Sequence, residues 1–403
     1  MVTYGSATLG RARVAVTVAF TAHGLLGAAW VARIPQIKEH LGLSEGAMGV
    51  ALLGAPVGVA VAVRFAGAIV ARWGSRATTV AGGIVAALSL VPLGLAWNLG
   101  VLICALAVLG GSLGLMDVAM NAQGVAVERG YGRPLMSGLH GAYSIGTLLA
   151  ALIGAAAAHA HVPVAVHLSV AAAALIGLLL AGCRDLLDRS VDALPDLPDE
   201  PAAASSAAGT SGRWVLVMLG IIGLCSFVGE GAMADWSAIY LREDLGTGPG
   251  LAGLGFAGCA VAMTAGRLAG DRVVARFGPV AVLRAGSLVA AVGLGLGLAA
   301  RNPAAAVAGF TLFGLGVAVV APVTFSAAGN VPGVPAATGI ARVTGVGYLG
   351  LLGGPPVIGF VAQGVGLGWA LAVPVGLVGL IVLLAPATGT AAAAAASPDA
   401  ADP

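Results

Sequence analysis

Apolar residues run along this chain in long, nearly unbroken blocks, and the breaks between blocks carry most of its charge. The blocks fall at roughly 14–33, 47–70, 78–97, 100–124, 137–159, 162–183, 214–240, 250–270, 279–300, 304–328, 337–362 and 366–386. A helix needs about 20 apolar residues to cross a bilayer, and each block reaches or approaches that length. Barrel strands would be shorter and would alternate apolar with polar, which these do not. The pattern therefore predicts an all-α integral membrane protein with twelve transmembrane helices. Small residues recur at four-residue spacing, as close helix packing in lipid requires. The first block follows Arg11 and Arg13, is too long for a signal-peptide core and lacks a clear cleavage site, so it is expected to remain as the first span.

One break differs from the others. Residues 184–212, RDLLDRSVDALPDLPDEPAAASSAAGTSG, are acidic, Pro-bearing and rich in Ala and Ser, which reads as a flexible linker. It divides the chain into a six-helix bundle over 1–183 and a second over 213–386, and the tail over 387–403 reads as disordered. Arg11, Arg13, Arg72, Arg76, Arg129, Arg133, Arg184, Arg189, Arg213, Arg272, Arg276 and Arg342 fall on one side, against little more than Arg33, Lys38, Arg242 and Arg301 on the other. By the positive-inside rule both termini and the linker are expected in the cytoplasm.

Composition sharpens the class. Of 403 residues, 59% are hydrophobic and 9% charged, against about 25% charged in soluble domains, and mean hydropathy is +1.00. There is no basic tract for nucleic acid. The four cysteines, Cys104, Cys183, Cys225 and Cys259, form no CxxC and no disulfide framework and read as packing residues. No HExxH, Walker loop, Gly-x-Ser-x-Gly or metal-spaced cluster occurs, which argues against an enzyme or an ATP-driven pump. No cofactor is expected.

The two halves echo each other. After the second block the chain reads RFAGAIVARWG over 64–74; after the eighth it reads RLAGDRVVARFG over 267–278, one residue longer. Duplicated six-helix halves related by an axis along the membrane normal would give this repeat. The first copy has no acid between Gly67 and Arg72.

At this point the chain resembles a major facilitator superfamily transporter over nearly its whole length. The most specific piece is GRLAGDRVVARFG over 266–278, which is similar to that superfamily's cytoplasmic loop motif. MDVAMN (116–121), GEGAMADWS (229–237) and RIPQIKEHLGLSEGAMG (33–49) resemble segments of its fucose-permease-like branch and of the poorly characterised bacterial permeases within it. The resemblance implies two pseudo-symmetric six-helix bundles and a cavity lined by the first, fourth, seventh and tenth helices. It also implies a cytoplasmic gate motif of Gly266, Arg267, Gly270, Asp271, Arg272, Arg276 and Gly278. By that pseudo-symmetry the start of the fifth helix is expected near Asp271, and helix starts favour anions.

Intramembrane acids carry the candidate chemistry, because an ionised carboxyl must face protein or a wet cavity. Asp117 stands roughly 25 Å along the fourth block with Asn121 on its face; it is either a cavity group or a structural partner of Arg64 or Arg129. Glu230 stands roughly 24 Å along the seventh block with no arginine within a turn of its own helix. Asp117 and Glu230 are the candidates for proton coupling. Asp235 reads as an interfacial acid that caps or pairs with Arg33 or Arg242. His23, Asn121, His140, Tyr143, Trp236 and Tyr348 are candidate substrate contacts. The histidines could equally be ordinary hydrogen-bonding residues, and Trp30 and Trp236 could be interfacial belt.

The leading expectation is a monomeric secondary transporter in the bacterial cytoplasmic membrane. It would move a small organic molecule by alternating access, with protons as the candidate coupling ion. A proton-driven drug or metabolite exporter on the same fold and a non-transporting receptor stay open.

Overall fold

The computed structural model describes residues 5–192 and 202–389; residues 193–201 of the expected linker and 390–403 of the expected tail lie outside them. Among the described residues every regular element is helical. Twelve helices are long and apolar enough to cross a membrane. They are α1 Ser6–His40, α2 Ala47–Trp73, α3 Ser75–Gly94, α4 Leu99–Tyr131, α5 Met136–His159, α6 Val164–Gly182, α7 Gly212–Asp244, α8 Leu251–Phe277, α9 Pro279–Ala299, α10 Pro303–Gly329, α11 Ala336–Val365 and α12 Leu367–Leu384.

Several boundaries depart from the apolar blocks for local reasons. The helix that contains α7 begins at Ala202, inside the segment read as linker, because AAASSAA is rich in the strongest helix former. Beyond Ala28, α1 passes through a tight turn at Val31–Arg33 and resumes over Ile34–His40, where Pro35 occupies the first helical turn. Arg33 is buried there and donates from Nη2 to Val162 O at 2.5 Å. In α10 the helix pauses at Ala318–Val319. Pro322 has no N–H for the carbonyl of Ala318 four residues back, so that carbonyl is left open to another donor.

The chain divides into two units. Among the described residues the first holds α1–α4, α5 from Leu139, α6 and residues 335–341; the second holds residues 133–138, α7–α10, α11 from Arg342 and α12. The core of the first is built on Phe20, Leu26, Leu90, Leu106 and Met116, and that of the second on Phe310 and Phe313. Outward-facing Leu, Val and Phe side chains cover the helix faces that meet lipid.

The sequence echo is also a structural one. Gly74 and Gly278 end α2 and α8 with φ of 84° and 79°, a region where only glycine is unstrained. A Cβ on Gly110 of α4 would fall 1.9 Å from Ala55 O of α2, and one on Gly314 of α10 would fall 2.1 Å from Cys259 O of α8. Both helix pairs are thus in backbone contact at corresponding places.

Candidate functional site

In the first unit, polar side chains converge from α1, α4 and α5. Asn121 is fully buried and donates from Nδ2 to Asp117 O at 2.8 Å and to Asp117 Oδ1 at 3.1 Å. The pair is a consequence of i, i+4 spacing on one helix. Among the described residues no arginine reaches Asp117, so the expected partners do not meet it: Arg64 is exposed on α2, and Arg129 lies on Asp117's own helix, roughly 18 Å further along. His23 of α1 meets Leu113 O through Nε2 at 3.2 Å, one turn before Asp117. Its Nδ1 is buried with no partner. The His23 ring lies 5.5 Å from that of Tyr143, and Phe20 lies 5.1 Å from His140, so α5 completes the cluster.

The second unit treats its acid differently. Ser226 Oγ donates to Glu230 Oε1 at 2.9 Å, and the Arg267 guanidinium of α8 approaches Oε2 at 3.5 Å. No arginine lies within a turn of Glu230 on α7, and the cation that meets it comes from a neighbouring helix. Arg267 is buried, 7% exposed, and its Nε also donates to Ala318 O at 3.4 Å, the carbonyl that Pro322 leaves open. With Arg267 buried and the Glu230 side chain 20% exposed, the pair still holds its charges against each other, and losing one would leave the other poorly compensated.

The network runs on from Arg267. Its backbone carbonyl accepts from Ser137 Oγ at 2.8 Å. Asp271, one turn later, accepts from the amides of Ser137 and Gly138 at 2.8 Å each. These are first-turn amides of α5, where helix starts leave N–H groups unsatisfied and favour negative charge. Gly270 lets Ser137 approach, since a Cβ there would lie 2.1 Å from Ser137 Oγ, and Gly266 lets α8 approach Ala318. Gly278 shapes the turn. Arg272 and Arg276 stand apart from this network, exposed, with Arg276 over the Phe277 ring at 5.3 Å.

Trp236 packs on Gly359 of α11, with Nε1 buried and without an acceptor, and Tyr348 lies 5.9 Å from Phe227. Asp235 is exposed and makes no ion pair among the described residues, so its expected pairing with Arg33 or Arg242 is absent. Ser137, Ser226 and Pro322 take part in the second unit's network without having been singled out. A Ser-Gly just after Pro134, at the start of an apolar block, was the available signal for Ser137.

No family model matches the chain. It is 37% identical over 383 residues to an uncharacterized MFS-type transporter of Yersinia pestis, covering 94% of this chain and 95% of that one. The chain belongs to the major facilitator superfamily. A second relative, an uncharacterized transporter of Sinorhizobium fredii, is 34% identical over 348 residues, 86% of this chain and 90% of that one. Among solved structures, the major facilitator superfamily transporter FucP in its outward conformation matches with a TM-score of 0.74 at 16% identity, over 93% of this chain and 97% of that one. FucP is the Escherichia coli fucose:proton symporter. The fold is thus the superfamily's, the chain is a multi-pass membrane protein with bacterial relatives, and its class is transporter rather than enzyme.

Proposed function

We propose that the protein is a monomeric secondary transporter that carries a small organic solute across the bacterial cytoplasmic membrane by alternating access, with protons as the coupling ion. Both termini and the segment between α6 and α7 face the cytoplasm, in keeping with the arginine distribution. A six-helix bundle lies on each side of that segment, over 1–183 and 213–386. Asp117 is the proton site. The observation that carries this is the contrast between the two acids: Glu230 is held by a guanidinium, whereas Asp117 has only an amide for company. A carboxyl that meets no fixed cation can gain and lose a proton without stranding a buried charge. Candidate solute contacts are His23, Asn121, His140 and Tyr143 within the first bundle, and Trp236 and Tyr348 within the second. Asp271 acts as a cytoplasmic latch through the start of α5, so Asp271→Asn favours the inward-open state.

The test uses purified full-length protein in liposomes with a pH-sensitive dye inside. Fucose, the solute named for FucP, and related monosaccharides form the first panel. Wild type should move protons inward with a panel member, and Asp117→Asn should abolish that movement while leaving solute exchange intact. Proton-driven accumulation at the normal rate in Asp117→Asn would sink the assignment. Proton movement opposite to solute movement would favour the exporter reading.

A further inference from the structure

After α6 the chain does not leave the first unit at once. Gln123 of α4, fully buried, donates from Nε2 to Leu187 O at 3.0 Å and to Ser75 Oγ at 2.7 Å, and its Oε1 accepts from Leu187 N at 2.9 Å. Leu186 and Leu187 are buried beside it. Residues 184–192 are thereby strapped across the α2–α3 turn. Arg189 Nη2 donates to Ala71 O at 2.6 Å, at the end of α2, and Arg76 Nη2 donates to Arg184 O at 2.6 Å.

Between the strap, the start of α3 and the end of α6 lies a recess of about 480 Å³. Arg76, Arg184 and Arg189 line it together with Trp73, Leu180 and Asp188. Each guanidinium is fixed by a backbone carbonyl through one nitrogen, Arg184 by Nε to Ala181 O at 3.1 Å, and none is in an ion pair among the described residues. Asp188, the carboxylate among the lining residues, is occupied by the Ser190 amide and hydroxyl and lies in the field of Arg76. Asp192, beside Gly74 of the recess, draws on Arg189, so three cations face two carboxylates and Arg184 is the least compensated of them. Trp73 and Leu180 are 60% and 54% exposed, at helix ends where the apolar band gives way to charge. Arginine binds phosphate oxygens in forked, charge-assisted hydrogen bonds, and basic recesses between transmembrane helices suit acidic head groups.

We propose that this recess holds the phosphate diester of an anionic phospholipid, with the glycerol and upper acyl carbons against Trp73 and Leu180. Free phosphate offers the same oxygens. The exposed apolar rim and the position of the recess at the helix ends favour the lipid, which arrives already anchored in the bilayer. A bound lipid would fix the strap, and with it the α2–α3 turn, from the membrane side.

The test measures binding of a fluorescent phosphatidylglycerol to the purified full-length protein in mild detergent, with phosphatidylcholine and inorganic phosphate as competitors. Wild type should prefer phosphatidylglycerol over phosphatidylcholine by about tenfold or more, a difference of about 1.4 kcal/mol. R76Q/R184Q should bring that preference close to unity, and R76K/R184K should retain most of it. At 1 M salt, where the screening length falls to about 3 Å, the wild-type preference should shrink severalfold. A folded R76Q/R184Q that keeps the full preference overturns the proposal, and so does inorganic phosphate that competes as well as the lipid does. If R76Q/R184Q does not fold, the salt series on wild type decides: a preference unchanged at 1 M salt overturns it.

Discussion

In the second unit, Gly278 carries the chain from α8 into Pro279, and Asp271 holds the amides of Ser137 and Gly138 at 2.8 Å. In the first, Gly74 carries it from α2 into Ser75, and the position of Asp271 is taken by Ala68. The segments facing these helices correspond residue for residue: PLMSG over 134–138 and PAATG over 335–339. Ser137 packs against Gly270 as Thr338 packs against Gly67. Yet the amides of Thr338 and Gly339 bond back to Pro335 O at 2.9 and 3.0 Å and meet no carboxylate. The α3 side is reversed. Ser75 has an N–H, and Asp192 Oδ2 accepts from it at 2.7 Å; Pro279 has none and needs no acceptor. The same backbone has thus been given a side-chain latch at α5 in one half and a side-chain cap at α3 in the other. Shape is what the repeat keeps, and polar chemistry is what it lets go.

The buried cation offers the largest break in that comparison. Arg267 is buried against Glu230, and its counterpart Arg64 is exposed. Removing one member of a buried pair costs about 3–5 kcal/mol, because the other is left uncompensated. Arg267→Met should therefore lower stability in detergent by that order, while Arg64→Met should stay within about 0.5 kcal/mol. Adding Glu230→Gln to Arg267→Met should recover much of the loss, since no stranded charge remains. Equal effects of Arg267→Met and Arg64→Met would mean that the ion pair contributes nothing.

A smaller effect is expected at Asp271. Hydrogen bonds to a charged group contribute about 1.5–3 kcal/mol each. Asp271→Asn should therefore speed hydrogen exchange at Ser137 and Gly138 by about tenfold or more, a change of at least about 1.4 kcal/mol. The peptide containing Thr338 and Gly339 should not change, because those amides are satisfied within their own turn. Unaltered protection at Ser137 in a folded Asp271→Asn would remove the latch from the picture.

How far the sequence could be read follows from where each signal lies. The twelve spans were visible because lipid requires unbroken apolar length, and that demand is local. The Gly74 and Gly278 turns were visible as a repeat, again local. The Asp271 contact with the start of α5 could be anticipated from the pseudo-symmetry of the two halves, together with the preference of helix starts for anions. The resemblance groups Arg267 with Arg272 and Arg276 in the gate motif, yet those two are exposed while Arg267 is buried, where Gly266 lets α8 approach Ala318. Its partner Glu230 lies on another helix, and no spacing along one chain shows which side chains two helices bring together. Pro322 leaves a carbonyl of α10 free, and nothing along the chain shows that Arg267 takes it up.

The smallest expected effect concerns Asp192, on the strap outside the membrane spans. It caps the start of α3, and such caps contribute about 0.5–2 kcal/mol. Asp192→Ala should lose stability of about that size, and Asp192→Asn, which keeps an acceptor oxygen, should lose less. The pH dependence separates cap from charge. Burial pushes the Asp192 carboxyl above its ordinary value, while the Ser75 hydrogen bonds and Arg189 pull it back only in part. A folded state that binds the proton more tightly than the unfolded chain gains stability from protonation; that gain is full below the unfolded value, about 4, and is lost as pH rises through the folded one. Wild type should therefore gain on Asp192→Asn as pH falls from neutral toward about 4. Asp188 has the opposite sign: the Ser190 hydrogen bonds and then Arg76 hold it below its ordinary value, so its contribution is lost as pH falls through that lower range. Asp188→Asn should nevertheless flatten part of the slope above about 4, because the Asp188 charge adds to the upward push on the Asp192 carboxyl. Melting temperatures of wild type, Asp192→Asn and Asp188→Asn across that range provide the measurement. Parallel curves for wild type and Asp192→Asn would show that the cap acts through hydrogen-bond geometry alone, and that burial of its charge costs the α2–α3 turn nothing.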